Sequence, residues 1–257
     1  MLLHGGPGVA GYLEPLARGV GDSFRVLEPF QRRSGGEPLT VATHVADLDE
    51  LLERQCGDEQ PVLVGHSWGA MLALAYGAKH PRRARSIVLI GCGTFDRGAR
   101  SRMREILDER TSEPLRRRLQ SLAQEYPDPD QRLRAYGSLV TPLYSYDAAA
   151  EVEIEACDAR GHNETWSDML RLQDTGVYPA AFAAINKPVL MLHGGHDPHP
   201  GRLVLASLQP YLARLQYREW GPCGHYPWLE PSVRDDFFED LRHWLALAPV
   251  AVERRRH

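Results

Sequence analysis

The pentapeptide Gly65-His66-Ser67-Trp68-Gly69 constrains the fold of this 257-residue chain more than any other feature, because of what flanks it. Residues 61–65 (PVLVG) are apolar and predict a buried strand, and residues 68–80 predict a helix that ends before Pro81. A G-x-S-x-G pattern between a strand and a helix indicates a sharp turn that lifts the serine out of the sheet. Such a turn is tight, so the neighbours of the serine must be small. Ser67 is therefore a candidate nucleophile at the N-terminus of a helix.

Short apolar runs alternate with helical patterns along most of the chain, which is typical of a parallel α/β fold. In residues 40–56, for example, apolar residues recur every three or four positions and form one helical face. The predicted class is α/β, with a mostly parallel sheet and helices on both faces. Strands are predicted at 24–28, 61–65, 86–91, 188–193 and 215–220, and helices at 40–56, 68–80, 202–213 and 232–247.

The alternation stops between residues 94 and 186. This stretch is helical in composition, with an Arg-rich first part, an acid-rich second part and no convincing buried strand. We interpret it as a helical cap inserted into a core that is made of residues 1–93 and 187–248. The basic tail, residues 249–257, is expected to be frayed.

Composition argues against several classes of function. Lys and Arg number 30 against 34 Asp and Glu, so a net charge of −4 provides no basic field for nucleic acid. No apolar run approaches the roughly 20 residues of a membrane helix, and the first residues lack the pattern of a secretory signal. We expect a cytoplasmic protein without nucleic-acid or membrane partners. The four cysteines form no C-x-x-C pair and are expected to be reduced thiols. The sequence leaves the oligomeric state open.

A serine hydroxyl needs a base to become a nucleophile, and two later motifs offer a base and an acid. Asp197 lies in HGGHDP, directly after a predicted strand, and His225 lies in CGHY, between the last predicted strand and helix. These residues follow one another along the chain in the order Ser67, Asp197, His225. His225 would be the general base, and Asp197 would fix its tautomer. Asp96, which follows the preceding predicted strand, is the alternative acid.

The sequence His4-Gly5-Gly6-Pro7-Gly8 follows the apolar residues 1–3 directly. Its glycines allow a backbone N–H to approach a substrate oxygen. We predict an oxyanion hole formed by the N–H groups of Gly6 and Trp68, where each donor lowers the barrier by about 3 kcal/mol. A phosphate-binding loop would need G-x-x-x-x-G-K-[ST] or G-x-G-x-x-G, and neither pattern is present.

Three histidines near Asp197 raise the possibility of a metal site. His193, His196 and His199 are spaced for one face of a helix, but the glycines and prolines between them prevent a helix there. We therefore expect no metal, and the proposed chemistry needs no organic cofactor.

Candidate substrate-binding residues are Glu164, Trp166 and His66. The acid-rich part of residues 94–186 could attract a cationic amine, and Glu164 is favoured because it lies near Trp166. The same acids could instead form a solvated face that pairs with the Arg-rich part. Trp166 would line an apolar pocket or pack within the cap. His66, like His4, would contact substrate or orient loops beside the pocket.

Together, HGGPG, GHSWGA, HGGHDP and CGHYPW resemble the α/β-hydrolase superfamily, in the right order and across nearly the whole chain outside the insertion. HGGPG with a tryptophan after the serine looks most like the prolyl iminopeptidase branch. The resemblance implies an α/β-hydrolase fold without cofactor and a small-molecule or short-peptide substrate. That branch removes N-terminal proline from peptides, and its relatives cleave esters, amides and some carbon–carbon bonds.

The chain departs from this branch at three places. Iminopeptidases usually carry Asp-Gln-Arg-Gly-x-Gly where residues 30–35 read Phe-Gln-Arg-Arg-Ser-Gly. The branch's amine-binding glutamates have no evident counterpart in the cap. The superfamily sheet normally opens with two strands before the HGG strand, whereas this chain begins in that strand. The N-terminal strands are thus apparently missing, and we expect the natural protein to be longer.

The sequence therefore predicts a serine hydrolase that cleaves a small ester or amide through an acyl-enzyme. A prolyl iminopeptidase-type aminopeptidase is the main alternative. A carbon–carbon bond hydrolase and a non-catalytic binding protein on the same fold are further alternatives. Dehalogenation or epoxide opening would require an aspartate in the place of Ser67.

Overall fold

The computed structural model describes residues 1–150 and 152–247, so the predicted basic tail, residues 249–257, lies outside the described residues. The strands are β1 (Leu2–Leu3), β2 (Val9–Ala10), β3 (Val62–His66), β4 (Ser86–Ile90), β5 (Ala156–Cys157), β6 (Val189–Gly194) and β7 (Leu215–Trp220). Five of them are parallel and form the central sheet in the order β1-β3-β4-β6-β7. A separate antiparallel pair joins β2 to β5.

Nine α-helices are found in the described residues, together with two 3-10 helices at Ala180–Ala184 and Pro227–Leu229. None of these helices combines the length and apolar character needed to cross a membrane. The α-helices are α1 (Glu14–Gly21), α2 (Val41–Cys56), α3 (Trp68–Lys79), α4 (Arg97–Arg110), α5 (Glu113–Glu125), α6 (Pro129–Tyr144), α7 (Ala159–Asp174), α8 (Gly201–Leu208) and α9 (Arg234–Leu247).

Two apolar cores lie on opposite faces of the sheet, because successive side chains of a strand point to opposite sides. Leu3 and Leu63 belong to the core that contains residues of α2, α3 and α8. Leu2 and Val64 belong to the core that contains residues of α1 and α9. The predicted α/β class, with a parallel sheet covered on both faces, is confirmed.

Two predicted elements differ from the structure. Residues 24–28 are not a strand: Leu27 accepts a hydrogen bond from the Leu2 N–H at 2.8 Å, but no ladder follows. The helix predicted to run to residue 213 ends at Leu208, and β7 begins at Leu215. The 94–186 segment also contains β5, which is too short to give a buried-strand pattern.

Candidate active site

Ser67 lies at the turn between β3 and α3 and is the one non-glycine residue with positive φ in the described chain, at 55°. Its N–H donates to the Ile90 carbonyl at 2.9 Å, which holds the turn against the end of β4. The glycines beside it are sterically required. A Cβ on Gly65 would lie 2.2 Å from the Gly69 carbonyl oxygen, and one on Gly69 would lie 1.9 Å from the Leu3 carbonyl oxygen. The turn leaves Ser67 partly exposed at the helix N-terminus.

His225 and Asp197 form a buried pair at the same end of the sheet. The Nδ1–H of His225 donates to Asp197 Oδ2 at 2.6 Å, and each residue is 3% exposed. Burial lowers the pKa of His225, and Asp197 partly offsets that effect, so the ring is neutral and able to accept a proton near pH 7. Burial alone would raise the pKa of Asp197, but the surrounding imidazoles hold it well below its usual value. The carboxylate is thus ionised.

The end of β4 places this pair beside Ser67. Gly91 follows the residue that binds the Ser67 N–H, and a Cβ on Gly91 would lie 2.8 Å from His225 Nδ1. Within the described ranges, no hydrogen bond joins Ser67 Oγ to His225. Catalytic hydrogen bonds often tighten only when substrate binds, so this resting geometry is compatible with a nucleophile–base pair.

Asp96, the alternative acid, has a different environment. It is the N-cap of α4, and its carboxylate accepts the Ala99 N–H at 2.8 Å. The His225 ring donates its hydrogen bond to Asp197 instead. The geometry therefore favours Asp197 over Asp96 as the partner of His225.

The second oxygen of Asp197 is held by His199. Asp197 Oδ1 accepts both the backbone N–H and the Nδ1–H of His199, each at 2.9 Å. His193 donates through Nε2 to the His199 carbonyl at 2.8 Å, whereas His196 lies beside Tyr146. Ligand atoms of Asp197, His199 and His225 lie within 4.8 Å of one another, a spacing that could hold a metal ion. Hydrogen bonds among the three side chains already account for their approach.

The predicted oxyanion donors are two backbone N–H groups that remain available. Gly6 has φ +91°, and Trp68 is the first residue of α3. Neither N–H has a hydrogen-bond acceptor among residues 1–150 and 152–247. The neighbouring Gly5 N–H, by contrast, donates to Tyr12 Oη at 2.6 Å. Both N–H groups that the sequence indicated are therefore free to donate to another group.

The three predicted substrate residues have different surroundings. His66 is 1% exposed, and both ring nitrogens are hydrogen-bonded, to Tyr12 Oη and to the His225 carbonyl. Glu164 accepts the Leu39 N–H at 2.9 Å and the Arg160 Nε–H at 2.7 Å, so binding an amine would require it to share or change partners. Trp166 packs against Trp68, with ring centroids 6.1 Å apart. Trp166 thus makes a ring contact with the residue that follows Ser67.

Gln31 and Glu230 are site residues that sequence reasoning did not identify. Gln31 accepts the Trp68 Nε1–H at 2.8 Å and donates to the His4 carbonyl at 2.7 Å, which ties the glycine-rich loop of residues 4–8 to α3. Glu230 is fully buried and accepts the N–H groups of Gly224, Tyr146 and Asp147. It therefore fixes the loop before His225 to the 94–186 segment. The sequence could have indicated Gln31, because it stands where the iminopeptidase loop has glutamine. No motif in the sequence pointed to Glu230.

A parallel sheet with a strained serine between strand and helix, and with an Asp–His pair after later strands, defines the α/β-hydrolase fold. The chain belongs to the alpha/beta hydrolase family, whose model matches residues 1–241.

Individual relatives agree with this assignment. The proline iminopeptidase PfmaB of Pestalotiopsis fici is 26% identical over 211 residues, which cover 76% of this chain and 73% of that protein. A cis-3-alkyl-4-alkyloxetan-2-one decarboxylase of Shewanella oneidensis is 27% identical over 103 residues. That match covers 37% of this chain and 32% of the decarboxylase, so only about a third of that relative is spanned. The resemblance to the prolyl iminopeptidase branch is confirmed.

The fold is shared with solved structures. A thermophilic esterase from Thermogutta terrifontis superposes with a TM-score of 0.63 at 20% identity, covering 96% of this chain and 89% of the esterase. At this level of identity the likeness concerns the fold alone. The family and its relatives together support a hydrolase.

Proposed function

We propose that this hydrolase uses Ser67 as nucleophile, His225 as general base and Asp197 as the supporting acid. The observation that carries the proposal is the buried His225–Asp197 pair at 2.6 Å, beside the strained turn that presents Ser67. A non-glycine residue at positive φ costs energy and persists where the surrounding structure enforces it, often at functional sites.

The mechanism follows from the protons each group can move. Ser67 Oγ attacks a substrate carbonyl while His225 Nε2 takes its proton, and Asp197 stabilises the imidazolium. The N–H groups of Gly6 and Trp68 receive the oxyanion. His225 then protonates the leaving group, which departs and leaves an acyl group on Ser67 Oγ. Water, deprotonated by His225, releases the acid and restores the hydroxyl. None of these steps requires a metal or an organic cofactor.

We propose that residues 94–186 form a cap that limits substrate size and can open as a lid. The cap is attached to the oxyanion loop: the Asp158 N–H donates to the Gly8 carbonyl, and His162 Nδ1 to the Pro7 carbonyl, each at 2.8 Å. The first candidate substrate is a small ester or amide. An N-terminal proline amide is the second candidate, because the iminopeptidase likeness extends over three quarters of the chain.

The substrate class is tested by comparing kcat/KM for p-nitrophenyl butyrate and proline p-nitroanilide. We expect the ester to be preferred, because Glu164, the favoured acid for an amine, already accepts two hydrogen bonds. Ser67→Ala is the blank for both substrates. Preference for the proline amide would establish the aminopeptidase instead and would require an acid in the cap to bind the amine.

Gly91→Ala tests the position of the base. A methyl group there would lie 2.8 Å from His225 Nδ1 and 3.2 Å from Asp197 Oδ2, at a φ of +53°. The ring must shift, and a displacement of about 1 Å costs about 100-fold in rate. Gly57→Ala is the matched control, because Gly57 has a similar φ of +55° and no atom lies within 4 Å of its new methyl group. Ester kinetics and thermal unfolding would be measured on both. A Gly91→Ala enzyme with wild-type kcat would place the base elsewhere.

A further inference from the structure

A chain of three hydrogen bonds runs behind Ser67 and joins the oxyanion loop to the loop of the base. The Gly5 N–H donates to Tyr12 Oη at 2.6 Å. Tyr12 Oη lies 2.7 Å from His66 Nδ1, and His66 Nε2 lies 2.9 Å from the His225 carbonyl oxygen. Tyr12 is 7% exposed and His66 is 1% exposed, so bulk water does not compete for these bonds. The mechanism proposed above uses none of these polar groups directly.

The two ends of this hydrogen-bond chain determine which group donates and which accepts in each of its bonds. A backbone N–H can only donate, and a carbonyl oxygen can only accept, so His66 Nε2 must carry a hydrogen. Burial lowers the pKa of His66 well below its usual value, so the ring is neutral and Nδ1 carries a lone pair. Tyr12 therefore accepts from Gly5 and donates to His66. Each polar group has a defined role, which makes the arrangement specific rather than adaptable.

The hydrogen-bond chain connects three segments whose relative positions must be kept for catalysis. Gly5 precedes the oxyanion donor Gly6, His66 precedes the nucleophile, and the His225 carbonyl belongs to the base itself. Tyr12 also occupies the Gly5 N–H, which leaves the Gly6 N–H to face the substrate. We propose that Tyr12 and His66 are positioning residues that hold the oxyanion donors, nucleophile and base in their reactive geometry. This inference rests on the function proposed above.

Tyr12→Phe removes the central hydroxyl and keeps the ring. We expect kcat for p-nitrophenyl butyrate to fall about 10- to 100-fold with little change in KM, because misplacement affects the transition state more than substrate binding. Tyr76→Phe is the matched control, because its buried ring also loses a hydroxyl hydrogen bond, to Asp49 at 2.8 Å. Tyr76 lies on α3 and takes no part in the hydrogen-bond chain. Wild-type kcat in Tyr12→Phe, or an equal loss in Tyr76→Phe, would overturn the proposal.

His66→Gln provides a second test, since the glutamine amide can still donate to the His225 carbonyl but offers no imidazole Nδ1 to Tyr12. If the chain acts as one unit, the Tyr12→Phe/His66→Gln double variant should lose no more activity than the worse single variant. Losses that multiply would overturn the linkage.

Imidazole nitrogen NMR supplies a readout that does not depend on activity. The resonances of His66 should show the Nε2–H tautomer, and the Nδ1 resonance should move in Tyr12→Phe but not in Tyr76→Phe. A different tautomer, or an unmoved Nδ1, would overturn the hydrogen-bond chain. Full turnover by Ser67→Ala would instead overturn the proposed function, and the NMR result would remain valid, so the two failures are distinguishable.

Discussion

Ser67→Ala should reduce kcat by about 10⁶-fold, the effect of removing a serine nucleophile from an enzyme of this chemistry. The fold should persist, because the side chain is partly exposed and makes no hydrogen bond among the described residues. Alanine at φ 55° is strained much as serine is, so the change in unfolding free energy should be small. Ester hydrolysis and thermal unfolding of the purified variant check both statements.

Ser207→Ala serves as the control for this experiment. That serine lies on α8, and among the described residues its hydroxyl bonds only to the Val204 carbonyl of its own helix. Its loss should leave turnover unchanged. Retained turnover in a clean Ser67→Ala preparation would refute the nucleophile assignment. Activity lost together with the cooperative unfolding transition would show only that the variant is unfolded, and Ser67→Cys would then replace it.

Asp197→Asn should lower kcat by about 10⁴-fold, because an amide in that position favours the wrong tautomer of the base. In the structure both carboxylate oxygens accept hydrogen bonds, Oδ2 from His225 and Oδ1 from His199. An amide can present only one oxygen, so one of these bonds must be lost or rearranged. The measurement is kcat for ester hydrolysis by the variant and by the wild-type enzyme, determined across a range of pH.

Asp96→Asn is the matched control for Asp197→Asn. It makes the same chemical change at the N-cap of α4, where asparagine caps about as well as aspartate. We expect kcat close to that of the wild type. A large loss in Asp96→Asn with a mild effect in Asp197→Asn would transfer the role of the acid to Asp96.

Local sequence was sufficient where one segment determines its own structure. The apolar runs predicted β3, β4, β6 and β7 to within a residue or two, and small neighbours of Ser67 predicted the strained turn. Residues 24–28 were predicted wrongly, because an apolar pattern does not reveal whether a neighbouring strand will pair along its whole length.

Only part of the candidate site could be predicted from the sequence, because several of its contacts depend on how distant segments pack. The motifs and their likeness to α/β-hydrolases indicated Ser67, Asp197 and His225. The parallel sheet brings the carboxyl ends of its strands to one edge, where these residues lie. The sequence by itself thus determined the class of fold and the candidates for nucleophile, acid and base. Only the tertiary structure placed Tyr12 against His66, His199 on Asp197 and the Leu39 N–H on Glu164. The first and third contacts join residues far apart in the chain, and the second depends on a loop. All three are decided by how segments pack, a property that no local pattern encodes.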